Sequence, residues 1–171
     1  MKPVAFLILT SLLFTLVSHF FHTDEVYNEK ERLLFEKSSI GSIMHWVQTH
    51  YGYANIIMGA FISFCVRLFF KSYGYNIFEV TILLCFVMGQ AMLLLTVETL
   101  FVKLLNDQLY KAILLVISIA YPTWAIGQFF NKAKAGSYIK AFTAYFVGYI
   151  LFYIAIIIVG LVTDVLMKTF S

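Results

Sequence analysis

Polar and apolar positions alternate along the chain on a long scale, with five extended apolar runs separated by short polar stretches. The cleanest run is Val80 to Val97, bounded by Glu79 and Glu98. Its 18 residues, at a helical rise of ~1.5 Å each, cover about 27 Å, close to the roughly 30 Å hydrocarbon core of a bilayer. The pattern predicts helices that cross a membrane, with spans at 4–21, 53–70, 77–102, 109–130 and 141–167. The connections at 71–76, 103–108 and 131–140 are short and polar, which predicts consecutive helices packed as antiparallel neighbours, up and down. The expected fold class is all-α, a multi-pass transmembrane helical bundle of about five spans, with residues 1–171 as one integral membrane domain.

Two segments need separate reading. The first run follows Lys2 and Pro3, and proline is tolerated at a helix start because its missing N–H would be unpaired there anyway. A cleaved signal needs small residues at the cleavage site, and Leu16-Val17-Ser18-His19 lacks one at its front, so a retained anchor is expected. Residues 22–50 form a polar extramembrane segment, in which Asp24, Glu25, Glu29, Glu31 and Glu36 mix with Lys30, Arg32 and Lys37. Its second half places Ile40, Ile43, Met44 and Val47 on one helical face, with Ser39 available as N-cap and Trp46 nearby. Such a helix can lie in the membrane surface or pack on the bundle, and the pattern leaves both open.

Composition supports the same class. Hydrophobic residues make up 61% of the chain and charged residues 12%, with mean hydropathy +0.87, more apolar surface than a small soluble domain can hide. The net charge of +3 comes from dispersed lysines, without the basic stripe of a nucleic-acid binder, so the expected partners are the lipid bilayer, other membrane proteins or a second copy of the chain. Cys65 and Cys85 lie inside apolar runs and read as small hydrophobes rather than as a disulfide or metal pair. Tyrosines 51, 53, 73, 75, 110 and 138 fall near run ends, where an interfacial aromatic belt would sit. The basic residues divide evenly, with Lys2, Arg67, Lys71, Lys132, Lys134 and Lys140 on the N-terminal side and Lys30, Arg32, Lys37, Lys103, Lys111 and Lys168 on the other. A cytoplasmic N-terminus is the orientation carried forward.

Ionisable and amide groups inside the runs are the candidate functional residues, because burying them in lipid is costly. Glu79 and Glu98 are 19 residues apart on one helix, roughly 28 Å along its axis, so they mark opposite membrane faces and cannot form a catalytic carboxylate pair. Arg67 and Glu79 flank the hairpin at 71–76 and are expected to form an ion pair that fixes helix packing. Gln90, between Gly89 and Ala91, is the deepest strongly polar side chain, expected to hydrogen-bond a neighbouring helix, with a transport-path lining as the sharper alternative. Gly59 with Ser63 and Ala144 with Gly148 have the four-residue spacing of close helix contacts. Pro122 should kink its helix and free a carbonyl near Ser118, and Asp164 is expected near Lys168 at i+4. His19, His22, His45 and His50 lack the spacing of a metal site, and no nucleophile, phosphate-loop or dinucleotide motif is present. No catalytic residue, cofactor or metal is assigned.

The stretch Arg67-Leu68-Phe69-Phe70, then Gly74-Tyr75-Asn76-Ile77-Phe78-Glu79 and the apolar run through Gly89-Gln90, resembles the domain-of-unknown-function 3667 family of bacterial multi-pass membrane proteins. Tyr75, Asn76 and Glu79 align with that family's signature, whereas Val80 stands where the family often has His, and its N-terminal zinc ribbon is absent. The resemblance implies a bacterial cytoplasmic membrane and a cytoplasmic N-terminus, and brings no activity with it. The functional expectation is a non-enzymatic membrane scaffold or accessory subunit, with a small oligomeric transporter or channel component as the alternative.

Overall fold

The computed structural model describes residues 2–21, 39–101 and 106–170, and within these it is helical with no strand. The polar stretch 22–38, including His22, and the end of the third predicted span at Val102 with Lys103 lie outside the described residues. Helix α1 spans Pro3–Phe20, α2 Ser39–Thr49, α3 Tyr51–Phe69 and α4 Ile77–Leu100. Helices α5 (Asp107–Leu115) and α6 (Tyr121–Asn131) are joined through a π-helical turn at Val116–Ala120, and α7 runs from Ala135 to Phe170. Five stretches are long and apolar enough to cross a membrane: Pro3–Phe20, Gly52–Phe69, Ile77–Leu100, Gln108–Asn131 and Ala135–Thr169. Large apolar side chains face outward along them, among them Leu16 (69% exposed), Phe78 (76%) and Ile139 (68%). Water would not tolerate so continuous an apolar exterior and lipid would cover it, so the chain is a multi-pass membrane protein with an all-α bundle.

Local chemistry sets the helix ends. Pro3 opens α1 at a position that needs no N–H. Asn76 caps α4, its Oδ1 accepting the Glu79 N–H at 2.9 Å while Glu79 Oε2 accepts the Asn76 N–H at 2.8 Å, a reciprocal capping box. Asn106 caps α5 by accepting the Leu109 N–H at 2.8 Å. The chain leaves the short 3₁₀ turn at Lys71–Tyr73 through Gly74 at φ 77°, a left-handed conformation that glycine adopts without steric cost.

Helix α4 is the hub. It buries Val80, Leu84, Cys85, Met88, Ala91 and Leu95 against α1, α3 and α6, and both cysteines are buried and free. The neighbours are not simply sequential: α1 packs most extensively on α4, and α3 on α7, so the expected up-and-down order holds for the chain path but not for the strongest contacts. Small residues explain this. A Cβ on Gly148 would lie 2.6 Å from Ile62 Cα, so only glycine permits the α3–α7 approach, with Ala144 fully buried one turn away. Gly59 lies against Met88 of α4, and Ser63 Oγ is 3.1 Å from Thr81 Oγ1, which makes the predicted small-residue pairs genuine contact faces. At the end of the bundle where α3 turns into α4, Phe70 stacks on Phe130 at 4.1 Å, with Tyr73 and Tyr75 edge-on to the same ring.

The amphipathic helix α2 packs on the bundle. Ile40, Ile43, Met44 and Val47 are half-buried while Ser42, His45 and Trp46 are exposed, and Ile40 fits over Gly160 of α7. Asp164 lies close to Lys168 as expected, and its Oδ1 also accepts the Ser39 N–H at 3.0 Å, so α7 caps α2 in place of a capping side chain from Ser39, the first helical residue. The last span also starts earlier than the pattern predicted, at Ala135 rather than 141, because nothing in 135–140 breaks the helix.

Candidate functional site: an intramembrane cavity with a buried carboxylate

The half of the bundle farther from the N-terminus encloses a cavity of about 620 Å³. Its walls come from the C-terminal halves of α1 and α4, the first turns of α3 and α5, the π turn, and the middle of α7. They are mostly aromatic and thioether side chains: Phe14, Met58, Met88, Met92, Tyr110, Tyr145, Phe146, Tyr149, Phe152 and Tyr153. A drug-sized ligand site typically has about this volume, in the range of roughly 300–1,000 Å³. Val47 brings α2 to its edge, and Ser18 and His19 bring the end of α1.

Most of the lining polar groups with a defined partner are occupied by the protein itself. Thr15 and Thr99 donate to the carbonyls of Ser11 and Leu95 one turn back, each at 2.9 Å. Asn55 donates from Nδ2 to Ser11 Oγ at 3.2 Å, tying α3 to α1, and the Tyr149 and Tyr153 hydroxyls are 3.1 Å apart. Pro122 has no N–H to give to the carbonyl four residues earlier, that of Ser118, and the Tyr145 hydroxyl donates to this oxygen at 3.1 Å. The expected freed carbonyl is therefore found, and α7 satisfies it. The backbone also widens there into the π turn, the local adjustment that membrane helices make around proline.

Glu98 is the exception. It is 6% exposed, and its Oε1 is buried without a hydrogen-bond partner. It is the only acid lining the cavity, and no Lys or Arg lines it among the described residues. An unpaired carboxylate in apolar surroundings carries a penalty of several kcal/mol, which a complementary group in the cavity would offset. This corrects the expectation that Glu98 merely marks a membrane face: its position near the end of α4 is as predicted, but its side chain turns inward.

The other nominated residues do not converge on this site. Arg67 and Glu79 are both exposed and form no salt bridge among the described residues, because the Glu79 carboxylate is engaged with the Asn76 N–H. Gln90 faces outward from α4, although Gly89 and Ala91 beside it are buried, so it neither lines the cavity nor bonds another helix of the bundle. Among the described histidines, only His19 reaches the cavity, and His50 Nδ1 is 3.2 Å from the Trp46 carbonyl with the two rings stacked. Among the described residues no three His, Cys, Asp or Glu side chains gather as a metal-binding group. Tyr145, Ser118 and Asn55 received no role in the sequence reading beyond the freed carbonyl. In the structure Glu98 follows Ala91 by seven positions and Leu95 by three, on the stripe that α4 buries, a stripe that the uniformly apolar sequence of α4 does not mark. No family model, curated protein or solved structure matches the chain.

Proposed function

We propose that the protein is a small, non-enzymatic membrane carrier or transporter component that holds an apolar or amphiphilic small molecule in the cavity between α1, α3, α4, α5 and α7. The observation that carries this reading is the buried carboxylate of Glu98, its Oε1 unpartnered, beside a cavity of about 620 Å³ whose walls are mostly aromatic, thioether and aliphatic. A bundle that served only as a scaffold would gain stability by filling that volume, since cavities weaken packed interiors. The lining suits binding better than bond breaking, because among the described residues no second carboxylate lines the cavity with Glu98. The reading includes the bacterial cytoplasmic membrane and a cytoplasmic N-terminus, supported by the resemblance at Tyr75, Asn76 and Glu79. A thermal-shift screen of apolar and amphiphilic compounds in nanodiscs tests the proposal, with Met92→Trp, which fills the cavity, in parallel. Compounds that stabilise the wild type but not the filled variant are expected. If every stabilising compound acts equally on both, or none stabilises the wild type, the cavity is not a ligand site.

A second reading, association with another membrane helix, is favoured by Gln90. Its amide points outward at mid-depth of a 24-residue helix, where lipid offers no hydrogen-bond partner, and an amide can both donate to and accept from its own copy. The expectation is a dimer in dilute mild detergent that Gln90→Leu weakens. Single-molecule photobleaching in liposomes that counts the same monomer fraction in both proteins would refute it.

A further inference from the structure

The charge of the ligand follows from the composition of the cavity wall, on the reading that the cavity is a ligand site. An ionised carboxylate only accepts hydrogen bonds, and Glu98 Oε1 receives none from the described residues. Among the described lining residues no Lys or Arg supplies a compensating charge and His19 is the one basic side chain, so a guest that brings a positive charge would offset the burial of an ionised Glu98. The remaining walls are suited to the same kind of guest. Tyr110, Tyr149 and Phe152 offer ring faces whose negative quadrupole attracts a cation, and Met58 and Met92 offer polarisable thioethers that adapt to irregular apolar shapes.

We propose that the cavity binds a lipophilic ammonium ion, a single protonated primary or secondary amine on an apolar body, whose N–H is donated to the Glu98 carboxylate. Charge at one end and apolar bulk at the other match a cavity with one acid and walls of ring and thioether. An anion would meet the carboxylate without a counter-charge. A wholly apolar guest would bring the carboxylate no hydrogen bond and no counter-charge.

Equilibrium dialysis of naphthylmethylammonium and its neutral isostere naphthylmethanol against the protein in nanodiscs tests this, with empty nanodiscs to subtract lipid partitioning. The wild type is expected to bind the ammonium about ten- to a hundredfold more tightly than the alcohol, the range set by a charge-assisted hydrogen bond. Glu98→Gln, which keeps the side-chain shape, removes the charge and replaces one acceptor oxygen by an NH2 donor, is expected to lower ammonium binding to that of the alcohol. Equal affinity for the two compounds in the wild type overturns the charge assignment without needing any variant, and corresponds to a Glu98 that stays neutral. Binding of the ammonium unaltered by Glu98→Gln overturns it too. In both cases loss of binding in Met92→Trp would still locate the guests in the cavity. Binding of both compounds unchanged by Met92→Trp refutes the ligand-site reading itself.

Discussion

Replacing Tyr145 by Phe removes one hydroxyl, and the consequence depends on a residue in another helix. The hydroxyl donates to the Ser118 carbonyl at 3.1 Å, the oxygen that Pro122 leaves without its usual N–H, and Tyr145 is 7% exposed. Side-chain hydrogen bonds between membrane helices contribute about 0.6 kcal/mol on average and at most ~1.7. A neutral bond of ordinary length to a carbonyl that lacks its usual donor from Pro122 belongs in the upper half of that range, so Tyr145→Phe should cost about 1 kcal/mol, roughly fivefold in the folded-to-unfolded ratio. Pro122→Ala supplies an N–H that α-helical geometry aims at the same carbonyl, so in that background the hydroxyl becomes redundant. The Tyr145→Phe cost should then fall below about 0.3 kcal/mol, leaving a coupling of roughly 0.7 kcal/mol between residues on α7 and α6. Reversible SDS-induced unfolding of the four proteins in bicelles measures the cycle. Additive losses would show that Tyr145 does not stand in for the missing backbone donor.

Three further outcomes follow from the packing. Gly148→Val should destabilise by about 1–3 kcal/mol in the same assay, because its Cβ meets the Ile62 backbone, while Gly136→Ala, with open space around it, should cost nothing; equal effects would mean that α3 and α7 are not in close contact. Asn76→Ala should lose about 1 kcal/mol of cap stability, and Arg67→Ala should change stability by less than about 0.5 kcal/mol. A larger loss for Arg67→Ala would restore the ion pair with Glu79. Asp164→Ala should speed amide exchange in the first turn of α2 and leave that of α4 unchanged, and unchanged exchange in α2 would show that its N-terminus is held by something else.

The spans were legible in the sequence because bilayer thickness imposes a length on apolar runs that survives any detail of packing. Four of the five observed spans agree with the predicted ones to within two residues at either end. The direction in which a polar side chain points was less legible. Gln90 and Glu98 belong to one uniformly apolar helix, where no polar stripe distinguishes the lipid side from the protein side. Which face is inner is decided by Gly89 meeting Phe6 and Gly59 meeting Met88, contacts between segments far apart in the chain. Glu79 was misread for a different reason. The depth match with Arg67 suggested a partner across the hairpin, whereas the nearer demand came from the unpaired N–H groups at the start of its own helix. Pro122 was read correctly as far as its own helix, and only the fold could supply Tyr145 as the remedy.

The length of α7 has a mechanical consequence. Its 36 residues measure about 54 Å, against a hydrocarbon slab of roughly 30 Å, and its outward side chains remain apolar as far as Met167. Such a helix reaches equilibrium by leaning, and the lean depends on how thick the surrounding bilayer is. Because Asp164 and Gly160 anchor α2 near the far end of α7, the end that swings furthest, a change of tilt is delivered to α2 as a displacement. Val47 of the same helix lines the cavity, so α7, α2 and the cavity wall form one mechanically connected chain of contacts.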